Sequence, residues 1–178
     1  MGSRGNIALI GFMGAGKTSV ARELSRYCGH RLTFIDTDAE IEKNACMPVS
    51  QIFSQLGEEA FRAFEREFCR TLPLTSAENS VIATGGGIVE NTDNVRILRQ
   101  HATLIYLRAS PERILQNLDA DTSRPLLQVQ DKLATITALL SRREPLYRAA
   151  AHFIIDTEKK ELSEIVRMAH DIMILNER

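Results

Sequence analysis

Gly11-Phe12-Met13-Gly14-Ala15-Gly16-Lys17-Thr18 stands between the apolar run Ile7-Ala8-Leu9-Ile10 and the helix-forming stretch Ser19-Val20-Ala21-Arg22-Glu23-Leu24. The spacing is G-x-x-x-x-G-K-[ST], a phosphate-binding loop, and a buried strand running into a helix is the context such a loop requires. Glycines let the backbone wrap a phosphate with several N–H groups aimed inward. The N-terminus of the following helix adds partial positive charge. Gly14, Ala15, Gly16, Lys17, Thr18 and Ser19 are therefore the expected nucleotide contacts. Lys17 should reach the β- and γ-phosphates, and the Thr18 hydroxyl should take one position on Mg²⁺. The bland alternative, a glycine-rich turn before a helix with an exposed lysine, does not account for the strand–loop–helix order. The stretch reads as a site for a nucleoside triphosphate.

The rest of the chain alternates short apolar runs with helical periodicity. Strands are expected at Leu32–Ile35, Ser80–Ala83, Thr103–Leu107 and His152–Ile155, in addition to Ile7–Ile10. Helices are expected at Lys17–Tyr27, Ala39–Ala45, Ser50–Leu56, Glu58–Leu72, Asp93–Gln100, from Ser110-Pro111-Glu112 onward, at Asp131–Arg142 (stopping before Pro145), and at Glu161–Leu175. Thr37 with Glu40 forms a capping-box pattern for the second of these. Alternation of this kind gives an α/β fold with a parallel sheet covered on both sides.

Composition fits one domain of 178 residues, 44% apolar and 25% charged. A net charge of −1 and a pI near 6.4 announce no nucleic-acid or membrane surface. No apolar run approaches membrane-spanning length, and residues 1–6 lack the apolar region of a signal peptide. Cys28, Cys46 and Cys69 have no metal-ligand spacing and read as thiols in a reducing compartment, so a cytoplasmic location is expected. His30, His101, His152 and His170 form no ligand set. Balanced charge and the lack of a coiled-coil pattern point to a monomer.

Several residues could carry chemistry beside the phosphate loop. Asp36 and Asp38 lie at the C-terminal mouth of the second strand, where open parallel sheets place ligands. Phosphoryl transfer to an alcohol needs a carboxylate on the acceptor side and an oxygen shell for Mg²⁺. The competing reading makes both aspartates helix-start residues favoured by the macrodipole. Arg62 and Glu65 share a helix face, which alone describes an ordinary solvated ion pair. Thr84-Gly85-Gly86-Gly87 ends a strand, and its glycines allow either a turn with positive φ or a close backbone approach to a ligand; the turn is favoured on these residues alone. Arg124 lies in the polar stretch Asp119–Pro125, suited to a mobile lid or simply to a solvated loop. Arg142 and Arg143 end a helix, where cations favour the dipole.

Taken together, these motifs resemble the shikimate kinase family. The set comprises the phosphate loop, Phe34-Ile35-Asp36-Thr37-Asp38, Gly57-Glu58-Glu59-Ala60-Phe61-Arg62 with Glu65, Thr84–Gly87, Arg124-Pro125-Leu126-Leu127 and Arg143-Glu144-Pro145-Leu146-Tyr147, over residues 7–157. The resemblance implies a three-layer α/β/α kinase of the phosphate-loop type with five parallel strands in the order 2-3-1-4-5. It implies one kinase domain over residues 1–178, with substrate-binding helical segments in 32–72 and a lid in 112–127. It implies ATP and Mg²⁺ as cofactors and the 3-hydroxyl of shikimate as acceptor. Arg62 and Arg143 would hold the acceptor's carboxylate, with Glu65 orienting Arg62. Asp38 would bind ring hydroxyls and serve as base, and Gly85, Gly86 and Gly87 would pack against the substrate. Thr18 and Asp36 would serve Mg²⁺, and Lys17 and Arg124 would surround the transferred phosphoryl group. Family members often carry an adenine-stacking arginine seven residues before the lid arginine; here that position is Asn117. Alternatives are a related kinase for gluconate or a nucleoside monophosphate, a regulator that binds ATP and a carboxylate without turnover, and an interaction module.

Overall fold

The computed structural model describes residues 6–75, 79–118 and 131–176. Its centre is a five-stranded sheet in the order β2-β3-β1-β4-β5. The strands are β1 (Ile7–Ile10), β2 (Thr33–Asp36), β3 (Ser80–Ala83), β4 (Thr103–Arg108) and β5 (Phe153–Asp156), and every pairing is parallel. The expected class and strand order are both found, with helices on both faces of the sheet.

Strand sequence follows sheet position. β1 and β3 are buried at every residue, as strands covered on both faces must be. The edge strands β2 and β5 keep partly exposed positions and carry aspartates at their ends. β1 lies between β3 and β4, so the chain leaves it toward neighbours on opposite sides. The crevice beyond its C-terminal end is where ligands bind in open parallel sheets, and Gly11–Thr18 emerges there.

The helices are α1 (Lys17–Tyr27), α2 (Thr37–Ala45), the single turn α3 (Val49–Gln51), α4 (Gly57–Thr75), α5 (Thr92–His101), α6 (Pro111–Leu118), α7 (Lys132–Ala150) and α8 (Leu162–Asn176). The main core runs through the sheet and the inner faces of α1, α7 and α8. A separate small cluster of Ile41, Ile52 and Phe61, with the Phe53 ring tilted 34° against that of Phe61 at 4.8 Å, joins α2, the residues just after α3, and α4. At about 1.5–3 kcal/mol per fully buried large side chain, this cluster alone gives the acceptor-side helices a core of their own.

Three local expectations need correction. Ser50–Leu56 is not one α-helix: α3 passes into a π-helical turn, Ile52–Leu56, which meets α4 at Gly57 with φ 83°. The cap of α2 is Asp36, which accepts N–H bonds from Asp38 and Ala39, rather than Thr37. The Thr37 hydroxyl instead accepts the Gly85 N–H at 2.8 Å, because its side chain turns inward and is buried. Finally, α7 does not stop before Pro145 but runs through it to Ala150. Proline costs a helix its i−4 hydrogen bond, and tertiary contacts on both sides outweigh that loss. Arg143 pairs with Glu90, Glu144 with Arg108, and the Tyr147 hydroxyl donates to Gly86 O. The Tyr147 ring also stacks on Tyr106 at 5.0 Å. Arg124 and the motif Arg124–Leu127 lie outside the described residues, as does most of the expected lid. No helix among the described residues is long and apolar enough to cross a membrane.

Candidate active site

The phosphate loop adopts a conformation only its glycines permit at three points, the first being Gly11 with φ 144°. Gly14 and Gly16 have φ of 75° and 87°, in the left-handed region. A Cβ on Gly14 would also stand 2.7 Å from Leu118 Cγ, so α6 sits directly against the loop. α1 has no side-chain cap and no acidic residue in its first turn, which leaves its N-terminal N–H groups and field directed at an anion. The Lys17 side chain is buried and its ammonium crosses the loop, donating to Gly11 O at 2.8 Å and Phe12 O at 2.7 Å. These features border a cavity of about 810 Å³ whose walls include Gly14–Val20, Asp36, Asp38, Thr84 and Gly86.

Asp36 caps a helix and still faces the phosphate loop. Its Oδ1 caps α2, while its Oδ2 accepts the Thr18 hydroxyl at 2.9 Å. A hydroxyl and a carboxylate held together beside a phosphate loop are hard oxygen donors that suit Mg²⁺, which is bound by one or two protein oxygens plus phosphates and water. Among the described residues no group of three His, Cys, Asp or Glu side chains forms an all-protein metal cage. Thr18 and Asp36 therefore fit Mg²⁺ held jointly with a nucleotide.

A second cavity of about 360 Å³ adjoins the first and is lined by Met13, Asp38, Phe53, Phe61, Arg62, Gly85–Gly87 and Arg143, among others. Asp38, Glu42 and Gly86 belong to the walls of both cavities. Arg62 is no solvated surface residue. It donates to Glu65 at 2.6 Å and to Glu58 at 2.8 Å, and Glu65 is only 1% exposed. Burial pushes the Glu65 carboxyl above its ordinary value, and the adjacent Arg62 guanidinium offsets only part of that. Arg143 is also buried, with its guanidinium 5.8 Å over the Phe12 ring and its Nε without a hydrogen-bond partner among the described residues. A buried, incompletely satisfied guanidinium on a cavity wall suits an incoming carboxylate.

The three consecutive glycines are not a positive-φ turn, contrary to the favoured reading of their sequence; none has φ in that region. They exist for close approach, chiefly to the protein's own groups. A Cβ at Gly85 would lie 2.7 Å from Glu65 Oε1 and 3.0 Å from Asp38 Oδ1. One at Gly86 would lie 3.1 Å from the Met13 N, and one at Gly87 would run into both Nη atoms of Arg62. The strand end is thus the floor on which the two aspartate- and arginine-bearing elements rest.

At the other end, Asn117 donates to Gly14 O at 2.7 Å and so ties α6 to the phosphate loop. It also lines the larger cavity with Arg113, Gln116, Thr157 and Leu162. Asp156 is engaged by Arg108 at 2.6 Å instead of lining that cavity. Burial pushes the Cys69 thiol up to about 12, in keeping with a core thiol.

Comparison with known proteins now bears on this geometry. The family model described as shikimate kinase matches residues 13–173. A shikimate kinase of Moorella thermoacetica is 45% identical over 163 residues, 92% of this chain and 91% of the relative. One from Chromobacterium violaceum is 43% identical over 162 residues, 91% of this chain and 86% of the relative. The chain belongs to the shikimate kinase family. Its backbone also superimposes on shikimate kinase from Acinetobacter baumannii, solved in complex with shikimate, with a TM-score of 0.87 and 37% identity over 96% of this chain and 93% of that one. The resemblance first carried by scattered motifs therefore extends over nearly the whole length of the shikimate kinase fold.

Sequence reasoning overlooked Glu90 and Glu42. Glu90 contacts Arg62, Arg142 and Arg143. Glu42 accepts the Val49 N–H at 2.8 Å and borders both cavities. Position four residues after Asp38 was the one available signal for Glu42; Glu90 had none, since its arginine partners come from distant helices.

Proposed function

We propose that this chain transfers the γ-phosphoryl group of ATP, with Mg²⁺, to the 3-hydroxyl of shikimate, giving shikimate 3-phosphate and ADP. Membership in the shikimate kinase family supports ATP, Mg²⁺ and shikimate. The observation that carries the residue-level reading is that the Asp38 carboxylate stands in the wall shared by a phosphate-loop cavity and an arginine-lined cavity, where the other shared acid, Glu42, is taken up by the Val49 N–H.

The roles follow from that placement. Arg62 and Arg143 hold the acceptor's carboxylate, and Gly85, Gly86 and Gly87 form the floor beneath it. Asp38 orients the hydroxyl and accepts its proton as the oxygen attacks phosphorus in line. Gly14, Ala15, Gly16, Thr18 and Ser19 cradle the phosphates, and Lys17 and the lid residue Arg124 stabilise charge as it shifts to the leaving oxygen. Thr18 and Asp36 hold Mg²⁺, which when bound neutralises the phosphate oxygens. One domain over residues 1–178, with the acceptor segment in 32–72 and the lid in 112–127, closes around the pair and excludes water. Balanced charge and the lack of a coiled-coil pattern support a monomer; three free cysteines support a cytoplasmic location.

ADP release from MgATP, measured with shikimate, gluconate and nucleoside monophosphates as separate acceptors, tests the reading. ADP with shikimate alone is expected. Turnover only with another acceptor would remove the assignment of Arg62 and Arg143, and ATP binding without any turnover would favour a regulator. Gly87→Ala should push Arg62 off its seat and raise the KM for shikimate by about ten-fold or more while the KM for ATP stays near wild type; an unchanged shikimate KM would show that Arg62 does not need that seat. The Glu65 carboxyl protonates above the ordinary carboxylate range, facing Arg62, Asp38 and Arg143. Acidification should therefore raise the shikimate KM as Arg62 loses its anchor. Glu65→Gln should show a high KM that no longer changes across that pH range.

A further inference from the structure

We propose that Glu90 is a positioning residue that ties Arg62 of α4 to Arg143 of α7 at the edge of the acceptor cavity, setting the spacing at which the two guanidinium groups receive a carboxylate. The proposal rests on the reading above, in which those arginines hold the acceptor. Glu90 Oε2 accepts from Arg143 at 2.9 Å and lies 3.4 Å from Arg62 Nη2, while its Oε1 lies 3.5 Å from Arg142. Its side chain is 26% exposed.

Charge makes the tie necessary. Arg62 has acids of its own, Glu58 and Glu65, on the same helix. The neighbouring acid of Arg143 on α7, Glu144, is paired with Arg108 and Arg148, and among the described residues Glu90 is the carboxylate within salt-bridge distance of Arg143. With its side chain only 6% exposed, Arg143 cannot turn to water for compensation. Without Glu90, Arg143 would be a buried cation with no ion pair among the described residues, left to the Phe12 ring and the more distant Glu65 carboxylate, which Arg62 already engages.

Position separates this role from that of a rival occupant. Glu90 is absent from the residues lining the acceptor cavity, whereas both arginines line it. It therefore holds the Nη2 atom of each arginine from outside that lining, while the buried Nε of Arg143 has no hydrogen-bond partner among the described residues. Backbone geometry holds it there. Glu90 belongs to the 3-10 turn Ile88–Glu90, its N–H bonds to Gly87 O at 3.0 Å, and Gly87 is the seat of the Arg62 guanidinium. One short segment thus supports Arg62 from below and links it to Arg143 at its end.

The test is steady-state kinetics of Glu90→Gln beside wild type, with thermal melts of both, and the same substitution in an Arg143→Ala background. Glu90→Gln should raise the shikimate KM about five- to ten-fold, the scale of one lost charge-assisted hydrogen bond. Its kcat and ATP KM should stay within about two-fold of wild type, as for loss of uniform binding. Most of the KM penalty should vanish when Arg143 is already alanine, because Glu90 acts through that arginine. A lowered shikimate KM would overturn the proposal by making Glu90 a competitor for the arginines. An unchanged KM, a penalty fully additive with Arg143→Ala, or a loss of kcat that tracks a fall in Tm would overturn it as well. A wild-type enzyme inactive on shikimate would instead remove the reading beneath it, so the two failures are distinct.

Discussion

Asp38→Asn is expected to lower kcat by about 10²–10⁴-fold, the range for removing a positioned proton acceptor, with the KM values for both substrates changed only a few-fold. Asparagine keeps the size of the side chain and a carbonyl that can accept from a ring hydroxyl, but it cannot take the proton. Asp38 is the second residue of α2, whose N-terminus is capped by Asp36, not by Asp38 itself. The substitution therefore leaves the helix cap intact, and the melting temperature should report little change. Single-turnover phosphoryl transfer measured at saturating substrates is the decisive readout. A variant with wild-type single-turnover rate would remove Asp38 as base and leave positioning as its sole task.

The second large effect is expected at Lys17. Lys17→Met retains the apolar stem and removes the charge, and should cost about 10²–10³-fold in kcat, as for loss of one preorganised electrostatic donor. The ammonium is held by two loop carbonyls, those of Gly11 and Phe12. Loss of those bonds also leaves loop carbonyls less satisfied, so melting curves must accompany the kinetics. A folded variant that binds ATP normally and turns over at the wild-type rate would exclude Lys17 from charge stabilisation.

These two predictions concern residues of different legibility. Lys17 could be placed from eight consecutive letters, Gly11–Thr18, because the phosphate loop is a local device. Its turn, its glycines and its helix start are contiguous, and short-range backbone sterics dictate the shape. Asp38 required more: its place at a strand end followed from pattern, but its role came from a resemblance spread over distant motifs. Asp36 shows how a local rule leaves room for a second contact. The sequence offered helix cap or metal-side carboxylate as competitors, and one oxygen caps α2 while the other meets the Thr18 hydroxyl.

The alternation of apolar runs and helical periods determined the parallel α/β class, the phosphate loop and the strand ends that carry the acids, because each is encoded in neighbouring residues. The tertiary structure alone decided why Gly85, Gly86 and Gly87 are glycines, why α7 passes through Pro145, and that Glu90 joins two arginines. Each of those depends on groups brought together across long stretches of chain: Arg143 meets Glu90 over 53 positions and Tyr147 meets Gly86 over 61. Periodicity reports which face of an element is apolar, but which side chain waits on the other side of a glycine is settled only when the elements pack.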